Sequence, residues 1–364
     1  MFYVFTRRQL VRPLLMPDKY RQMSDQQLIE KIKVIKAELG KRLVILGHHY
    51  QRKEIVELSD FRGDSLGLSR DAARQKEAEF IVFCGVHFMA EGAAILARPY
   101  QMVQLPDLTA GCPMADMADI FQVESAWREI DKICSSENFT PITYVNSSAE
   151  LKAFCGRNNG VACTSSNASS VFDWAFKRTD KLFFFPDEHL GRNTANKKKN
   201  KVIVWDPEKE MGGNTIKQIK EADVILWKGY CHVHTFFKPE HVLAIREKYP
   251  QAIIIVHPEC VEEVVNMADA AGSTGFIVNF VQEAKPGSTI VIGTEINLIS
   301  RLAMEHPDKK IFELARSLCP NMYKINLRNL LWTLDNIGKI NIVTVPEPIK
   351  AEAKVALERM LEIT

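Results

Sequence analysis

Three cysteines, each in a segment rich in turn residues, are the side chains of this sequence best suited to chemistry. Cys112 lies between Gly111 and Pro113, Cys231 follows Gly229-Tyr230, and Cys319 precedes Pro320. The intervals between them, 119 and 88 residues, are too long for a zinc ribbon and favour one ligand from each of three structural units. Three thiolates can hold three corners of an iron–sulfur cube and leave the fourth iron open to a substrate. The spacing therefore predicts an enzyme in which iron acts as a Lewis acid.

The remaining cysteines are predicted to be packing residues, because free thiols in apolar or helical segments are usually buried in the core. They are Cys84, Cys134, Cys155, Cys163 and Cys260. Zinc is a second interpretation for Cys231-His232-Val233-His234, since Cys and His are its usual ligands. The C-x₂₋₄-C partner of such a site is missing, which makes zinc the less favoured alternative.

Polar side chains follow two of the apolar runs directly. His48 and Tyr50 come after the run 43–46, and His257 and Glu259 come after the run 253–256. Alternation along an extended segment directs His48 and Tyr50 to the same side. Glu259 is a candidate base near neutrality, with His257 beside it to orient it or stabilise its charge. The four residues together predict a polar pocket at the strand ends.

The segment Gly63-Asp64-Ser65-Leu66-Gly67 matches the G-x-S-x-G pattern of a hydrolase nucleophile. That nucleophile needs a strand before it and a helix after it, whereas residues 54–61 have the apolar spacing of a helix. We therefore interpret Ser65 as a hydroxyl near a helix end that binds substrate. Neither G-x-G-x-x-G nor G-x-x-x-x-G-K-[ST] occurs in the sequence, which disfavours a dinucleotide site and a P-loop.

Short apolar runs rich in Val and Ile, without alternation, predict parallel strands buried on both faces. The runs are 43–46, 80–83, 142–144, 161–163, 224–227, 253–256 and 290–292. Amphipathic helices are predicted between them over 25–39, 115–130, 149–156, 261–271, 297–306 and 351–362. Alternating strands and helices imply right-handed βαβ units, in which ligands bind at the carboxyl ends of the strands. The predicted fold class is α/β, with three units that each contribute one cysteine.

Composition is typical of a globular protein: 364 residues, 46% hydrophobic and 25% charged. The net charge of +2 gives no indication of a nucleic-acid partner or an acidic membrane surface. No apolar run approaches the roughly 18 residues of a membrane-spanning helix. Residues 1–22 are expected to form a poorly ordered extension without an export signal. With eight cysteines in no close pairs, these features predict a cytoplasmic protein.

Beyond these patterns, the sequence resembles the quinolinate synthase A protein family over roughly residues 40–335. The resemblance rests on segments in family order, namely Gly47-His48-His49-Tyr50-Gln51, 63–66, 83–91, 110–115, Tyr144-Val145-Asn146, 163–168, 186–191, His257-Pro258-Glu259 and Cys319-Pro320-Asn321-Met322.

The resemblance implies three similar three-layer αβα domains around a pseudo-threefold axis, with the active site at their junction. It implies one 4Fe–4S cluster per chain, held by Cys112, Cys231 and Cys319, with one iron open. It further implies a transferase that condenses iminosuccinate (iminoaspartate) with dihydroxyacetone phosphate to give quinolinate, phosphate and water in de novo NAD biosynthesis.

Residue roles also follow from the resemblance. Catalysis is implied for Glu259, Tyr50, His48 and His257. Substrate contacts are implied for His48, Ser65, Tyr144, Val145, Asn146, Ser165, His257, Pro258, Glu259 and Thr274, with Ser166 as the alternative to Ser165.

The expected domains span 23–120, 121–233 and 234–320, and residues 321–364 are expected to pack back on the first domain. The implied partners are the two small-molecule substrates, with a functional link to L-aspartate oxidase or aspartate dehydrogenase, and a homodimer is the candidate assembly. Two other functions remain open: an iron–sulfur hydro-lyase acting on another hydroxy acid, and a non-catalytic iron–sulfur or zinc sensor.

Overall fold

The computed structural model describes residues 15–363, whose strands form three separate sheets. The first sheet consists of β1 (Leu43–His48), β2 (Phe61–Gly63), β3 (Phe80–Cys84) and β4 (Met102–Gln104), in the spatial order β2-β1-β3-β4. The second consists of β5 (Phe139–Tyr144), β6 (Val161–Cys163), β7 (Lys181–Phe185), β8 (Val202–Trp205) and β9 (Val224–Trp227), in the order β6-β5-β7-β9-β8. The third consists of β10 (Ile253–Val256), β11 (Ala270–Ala271), β12 (Thr289–Gly293) and β13 (Lys310–Glu313), in the order β11-β10-β12-β13.

Helices separate these strands along the chain. They are α1 (Asp18–Arg21), α2 (Asp25–Leu39), α3 (Lys53–Leu58), α4 (Ser65–Arg74), α5 (His87–Leu96), α6 (Ile120–Cys134), α7 (Ala149–Arg157), α8 (Ala168–Phe176), α9 (Glu188–Lys197), α10 (Ile216–Glu221), α11 (His232–Thr235), α12 (Pro239–Lys248), α13 (Glu262–Met267), α14 (Thr274–Glu283), α15 (Ile296–Glu305), α16 (Leu327–Asp335) and α17 (Glu347–Glu362). Every pair of neighbouring strands runs parallel. The predicted α/β class is confirmed.

Six of the thirteen strands in residues 15–363 were not predicted, namely β2, β4, β7, β8, β11 and β13. Two of these, β2 and β11, follow a helix that ends earlier than expected. The helix expected over 54–61 ends at Leu58, and the one expected over 261–271 ends at Met267. In each case an aspartate stops the helix by bonding to the neighbouring strand. Asp60 accepts from the N–H of Ile45 at 2.8 Å, and Asp269 accepts from the N–H of Ile254 at 2.7 Å. The chain is thereby fixed as β2 beside β1 and as β11 beside β10.

The C-terminal segment packs on two units rather than one. Helix α16 lies against α2, as expected for a segment returning to the first unit. Helix α17 instead packs mainly on α7 and β6, which belong to the second unit, with a smaller contact to α5. A side chain at Gly156 of α7 would overlap the carbonyl oxygen of Glu352, so the two helices approach closely only because this residue is glycine. The expectation that residues 321–364 pack on the first domain is therefore wrong for α17.

Part of the N-terminal extension is ordered, contrary to expectation. Tyr20 of α1 is 1% exposed, and its hydroxyl donates to Asp335 of α16 at 2.8 Å. The expectation for residues 1–14 lies outside the described residues. No helix within residues 15–363 is long and apolar enough to cross a membrane.

Candidate active site

The three sheets present polar residues at equivalent positions where their strands end. Strand register aligns His48 with Gly63 in the first sheet and Tyr144 with Cys163 in the second. In the third sheet Val256 aligns with Ala271, so the next residue, His257, is the equivalent of His48. Because parallel strands end at the same edge of a sheet, these positions form the site.

Three sets of site residues repeat in this frame. The first set consists of the three aligned residues at the strand ends, each followed two positions later by a second polar residue. The pairs are His48 and Tyr50, Tyr144 and Asn146, and His257 and Glu259. The next set lies two or three residues beyond the end of the neighbouring strand, namely Ser65 after β2, Ser165 after β6 and Thr274 after β11. The last set follows the fourth strand of each topology, namely Cys112 after β4, Cys231 after β9 and Cys319 after β13. The predicted residues are thus one pattern repeated three times.

All three of these cysteines lie on the wall of one partly open cavity. Each sulfur accepts hydrogen bonds from backbone N–H groups two or three residues downstream: Met114 and Ala115 for Cys112, Val233 for Cys231, and Asn321 and Met322 for Cys319. Donors of this kind favour the thiolate form that a metal cluster requires.

The donor set fits a cluster that leaves one iron without a protein ligand. All three thiols are free, and no fourth cysteine is among the residues that line the cavity. Burial raises the pKa of the Cys112 thiol to about 12 and that of Cys231 well above its ordinary value, so cluster binding would displace protons from both. Among the other cysteines, Cys84, Cys155, Cys163 and Cys260 are buried as predicted, and Cys134 is partly exposed.

A second group of metal-ligating atoms lies beside Cys231. Within the described part of the chain, the ligand atoms of Cys231, His234 and Glu259 all lie within 4.8 Å of one another. His234 Nδ1 and Glu259 Oε2, however, are 2.9 Å apart, and Glu259 Oε1 accepts from the Tyr144 hydroxyl at 2.5 Å. Because these atoms are already paired with each other, the geometry favours a polar network over a single zinc ion.

Glu259 is the centre of this buried network. It is 2% exposed, and His234, its partner, is stacked on His257 with ring centroids 4.2 Å apart. Burial alone would raise the pKa of Glu259, but electrostatic interactions with His234 and His257 and the hydrogen bonds from His234 and Tyr144 outweigh burial and lower the pKa to about 2. Burial lowers the pKa of His257 to about 3. The pKa of Glu259 therefore lies below the neutral range expected for it, and its carboxylate is ionised. Its role as a base stays a prediction.

Tyr50 lies on the opposite side of this network. Its hydroxyl is 2.7 Å from Oγ1 of Thr294 and 3.4 Å from Nε2 of His234, and Thr274 donates to it at 3.4 Å. Burial raises its pKa well above the ordinary value, so the phenol keeps its proton at neutral pH. His48 Nδ1 accepts from the N–H of Tyr50 at 3.1 Å, and burial lowers the pKa of His48 to about 4.

The cavity wall contains most of the residues predicted for the site. His48, Tyr50, Ser65, Tyr144, Asn146, Ser165, His257, Glu259 and Thr274 line it together with the three cysteines. Val145 and Pro258 are not among the residues that line it. Val145 donates its N–H to Cys163 O, and Pro258 accepts from Asn193 through its carbonyl group, so both hold neighbouring segments in place.

The choice between two serines and the interpretation of the G-x-S-x-G segment both depend on this geometry. Ser165 lines the cavity, whereas Ser166 donates to Asp64 Oδ2 at 2.5 Å. A strand does precede Ser65, because the helix expected over 54–61 ends at Leu58, β2 ends at Gly63 and α4 begins at Ser65. Within residues 15–363, no hydrogen bond joins the Ser65 hydroxyl to a histidine, as an activated hydrolase nucleophile requires. Nδ1 of His48 instead accepts from the N–H of Tyr50.

Three functional candidates were missed in the sequence. His234 was considered only as a zinc ligand, Thr294 lies just after an apolar run, and Asp64 is part of the G-x-S-x-G segment. His234 and Asp64 line the cavity, and Thr294 contacts two residues that do. The rule that polar residues follow strand ends, applied to the run 290–292, would have found Thr294.

Among residues 15–363, no lysine or arginine lines the cavity. Helices α4 and α14 instead begin at Ser65 and Thr274, and the N-cap of α5, Val86, lies on the wall as well. The N-terminus of a helix attracts anions through its free N–H groups and its dipole. The cavity can therefore hold carboxylates or phosphates without basic side chains.

Comparisons of the sequence with known proteins agree on one family. The family model described as Quinolinate synthetase A protein matches residues 30–362. The chain is 50% identical to the quinolinate synthase of Herpetosiphon aurantiacus over 357 residues, which cover 95% of each protein. It is 48% identical to the quinolinate synthase of Corynebacterium glutamicum over 360 residues, covering 97% of this chain and 91% of that relative. It is 47% identical to the quinolinate synthase of Bacillus cereus strain G9842 over 365 residues, covering 97% of this chain and 98% of that relative.

Proposed function

Because this chain belongs to the quinolinate synthetase A protein family, we propose that it is a quinolinate synthase of de novo NAD biosynthesis. The reaction would condense iminosuccinate with dihydroxyacetone phosphate and release quinolinate, phosphate and water. The observation that carries the proposal is the convergence of three cysteines and three pairs of strand-end polar residues on one cavity.

Cys112, Cys231 and Cys319 would hold a 4Fe–4S cluster. When bound, the cluster supplies a Lewis acid at its open iron, suited to the departure of hydroxide. The cysteines line the same cavity as Glu259, His234 and Tyr50, so a substrate held there would be close to both groups.

The remaining residues would bind and orient two anionic substrates. The hydroxyls of Ser65, Ser165 and Thr274 lie on the cavity wall, with the first and last of them at helix N-termini, where carboxylate and phosphate oxygens are favoured. Glu259, held ionised, would accept a proton during enolisation and ring closure. Tyr50, held protonated, would donate one on the opposite side of the substrate.

Cellular context follows from the substrates rather than from the fold. Iminosuccinate is the two-electron oxidation product of aspartate, so an aspartate oxidase or aspartate dehydrogenase would have to supply it. The eight free cysteines suit a reducing compartment, and we propose the cytoplasm. A homodimer stays a prediction.

The test is an anaerobic assay of the iron-loaded protein with iminosuccinate generated in situ and dihydroxyacetone phosphate. Quinolinate and phosphate should appear in equal amounts, measured by chromatography and by a phosphate assay. Omitting the triose phosphate is the control and should abolish both products. Loss of water from a hydroxy acid, without any need for the triose phosphate, would instead identify a hydro-lyase.

A further inference from the structure

The three chain segments that carry the cavity cysteines are joined to one another by hydrogen bonds that do not involve the cysteine sulfurs. We call residues 109–117, 227–233 and 317–324 the cysteine segments, and each contains one of the three cysteines and belongs to a different unit. Three side chains in these segments each donate to a backbone carbonyl group of another segment. Together the three contacts link every pair of cysteine segments.

The first contact joins the segments of Cys231 and Cys319. The buried hydroxyl of Ser317 donates to the carbonyl oxygen of Val233 at 2.7 Å. The N–H of the same Val233 donates to the Cys231 sulfur, so this residue is bonded on both sides. The carbonyl group of Ser317 accepts in turn from the N–H of Ile296, the first residue of α15, at 2.9 Å. Ser317 thereby fixes the Cys231 segment to a helix of the third unit.

The second contact joins the segments of Cys112 and Cys231. Nε1 of Trp227, a fully buried residue at the end of β9, donates to the carbonyl oxygen of Met117 at 2.7 Å. The N–H of Tyr230, which directly precedes Cys231, also lies 3.3 Å from the sulfur of Met117. Met117 therefore receives two donors from the Cys231 segment.

The third contact joins the segments of Cys112 and Cys319 and closes the ring. Nζ of Lys324 donates to the carbonyl oxygen of Thr109 at 2.6 Å. Thr109 lies three residues before Cys112, and Lys324 lies five residues after Cys319. This contact is exposed, whereas the other two involve buried donors, so water competes most effectively for this one.

Such a ring matters because the three thiols come from loops of separate sheets. A cluster that had to order three independent loops would lose binding free energy to the entropy of ordering them. The three contacts involve no atom of a cluster, so they can form in the metal-free protein. A site that is already ordered binds its metal group more tightly and releases it more slowly.

We propose that Ser317, Trp227 and Lys324 are positioning residues, whose bonds to backbone carbonyl groups hold the three cysteine segments together without the cluster and slow its loss. The proposal rests on the cluster assignment of the proposed function for its effect on iron. Its structural part, the placement of the cysteine segments, can be measured in metal-free protein.

The test measures how fast the anaerobic, iron-loaded protein loses iron to bathophenanthroline, followed by the absorbance of the ferrous complex. Ser317→Ala and Trp227→Phe each remove one donor, and we expect both to accelerate iron loss by about 10–100-fold. Lys324→Met should accelerate it by less than about threefold, because its contact is exposed. None of the three residues lines the cavity, so kcat per bound cluster should stay within about threefold of the wild type.

Thr194→Val is the matched control for Ser317→Ala. The Thr194 hydroxyl is comparably buried and also donates to a backbone carbonyl group, that of Leu190, at 2.7 Å. Both residues lie within α9, so this bond joins no cysteine segments, and iron loss should stay within about twofold of the wild type. Crystal structures of the metal-free proteins should show the Cys231 or Cys319 segment displaced in Ser317→Ala and unchanged in Thr194→Val.

Several results would overturn the proposal. They are iron loss at the wild-type rate in both Ser317→Ala and Trp227→Phe, an equal acceleration in Thr194→Val, and undisplaced cysteine segments in metal-free Ser317→Ala. A wild-type protein that binds no iron–sulfur cluster would refute the cluster assignment instead. The metal-free structures would then still decide whether Ser317 holds the segments together.

Discussion

The first and third units are built on one frame and differ in the side chain that each presents to the cavity. Their sheets have the same strand order, β2-β1-β3-β4 and β11-β10-β12-β13. In each, an aspartate ends the first crossover helix, and a histidine ring nitrogen accepts from the N–H two residues later: His48 from Tyr50 and His257 from Glu259. At that later position one unit presents a phenol and the other a carboxylate.

This difference shows how a repeated fold acquires two chemical roles. The frame determines where the side chain points, and the neighbours determine its protonation. Burial keeps Tyr50 protonated, whereas His234 and Tyr144 keep Glu259 ionised. Equivalent backbone positions therefore supply a proton donor and a proton acceptor to the same cavity.

The largest expected effect tests whether the equivalent cysteines act as one set. Cys112→Ala, Cys231→Ala and Cys319→Ala should each abolish the cluster and the activity, because two thiolates do not hold a cube of four irons. The measurement is iron and sulfide content under anaerobic conditions, about four of each per wild-type chain.

Cys155→Ala is the matched control for these variants, since this thiol is also buried but lies in the core. It should retain both cluster and activity. A normal iron content in any of the three cavity variants would show that the units do not contribute equally.

A smaller effect is expected for Glu259 and Tyr50, the residues in which the first and third units differ. Glu259→Gln keeps the shape of the side chain but removes its ability to accept a proton, so kcat should fall by about 10²–10⁴-fold. Tyr50→Phe, at the equivalent position, should cause a loss of the same order, about 10²–10⁴-fold.

Both variants should keep the iron content and visible spectrum of the wild type, because neither side chain belongs to the cysteine set. Loss of iron from Glu259→Gln would favour a metal site at Cys231, His234 and Glu259. Near-native turnover would place the base elsewhere, with His48 as the next candidate.

The smallest effect is expected for the two aspartates that have the same role in the first and third units. Asp60→Asn and Asp269→Asn each weaken a hydrogen bond to a strand N–H and a salt bridge, Lys36–Asp60 and Arg246–Asp269, both at 2.8 Å. Because these groups are partly exposed, each change should lower the free energy of unfolding by about 0.5–1.5 kcal/mol. Thermal unfolding should show similar decreases in Tm for the two variants, with kcat unchanged.

Asp173→Asn, which affects an exposed pair with Lys198, should change Tm less than either variant. Clearly unequal decreases for Asp60→Asn and Asp269→Asn would mean that the shared frame does not stabilise the two units in the same way.

The sequence allowed most of the frame to be predicted, because buried parallel strands are continuous apolar runs. The run 43–46 lies inside β1, and the run 253–256 coincides with β10. The short strands β2 and β11 escaped because strands of two or three residues carry no periodicity. Their positions depend on the aspartate bonds of Asp60 and Asp269, which are contacts between segments distant in sequence.

The identity of the site residues was predicted better than their protonation states. Residues that follow apolar runs, such as His48 and Glu259, could be recognised from position alone. The low pKa of Glu259 could not, because it depends on His234 and Tyr144, which lie 25 and 115 residues away along the chain. Thr294 was missed for the same reason: its importance comes from two contacts across unit boundaries.

The packing of α17 on the second unit determines when during synthesis the cavity can be completed. Asn167, which accepts from the N–H of Thr164 and so shapes the turn carrying Ser165, donates to the carbonyl groups of Met360 and Ile363. These acceptors lie 193 and 196 residues further along the chain. A ribosome releases the second sheet long before it releases α17. The wall that carries Ser165 therefore reaches its final hydrogen bonding only when α17 has emerged, which makes this wall one of the last parts of the protein to mature.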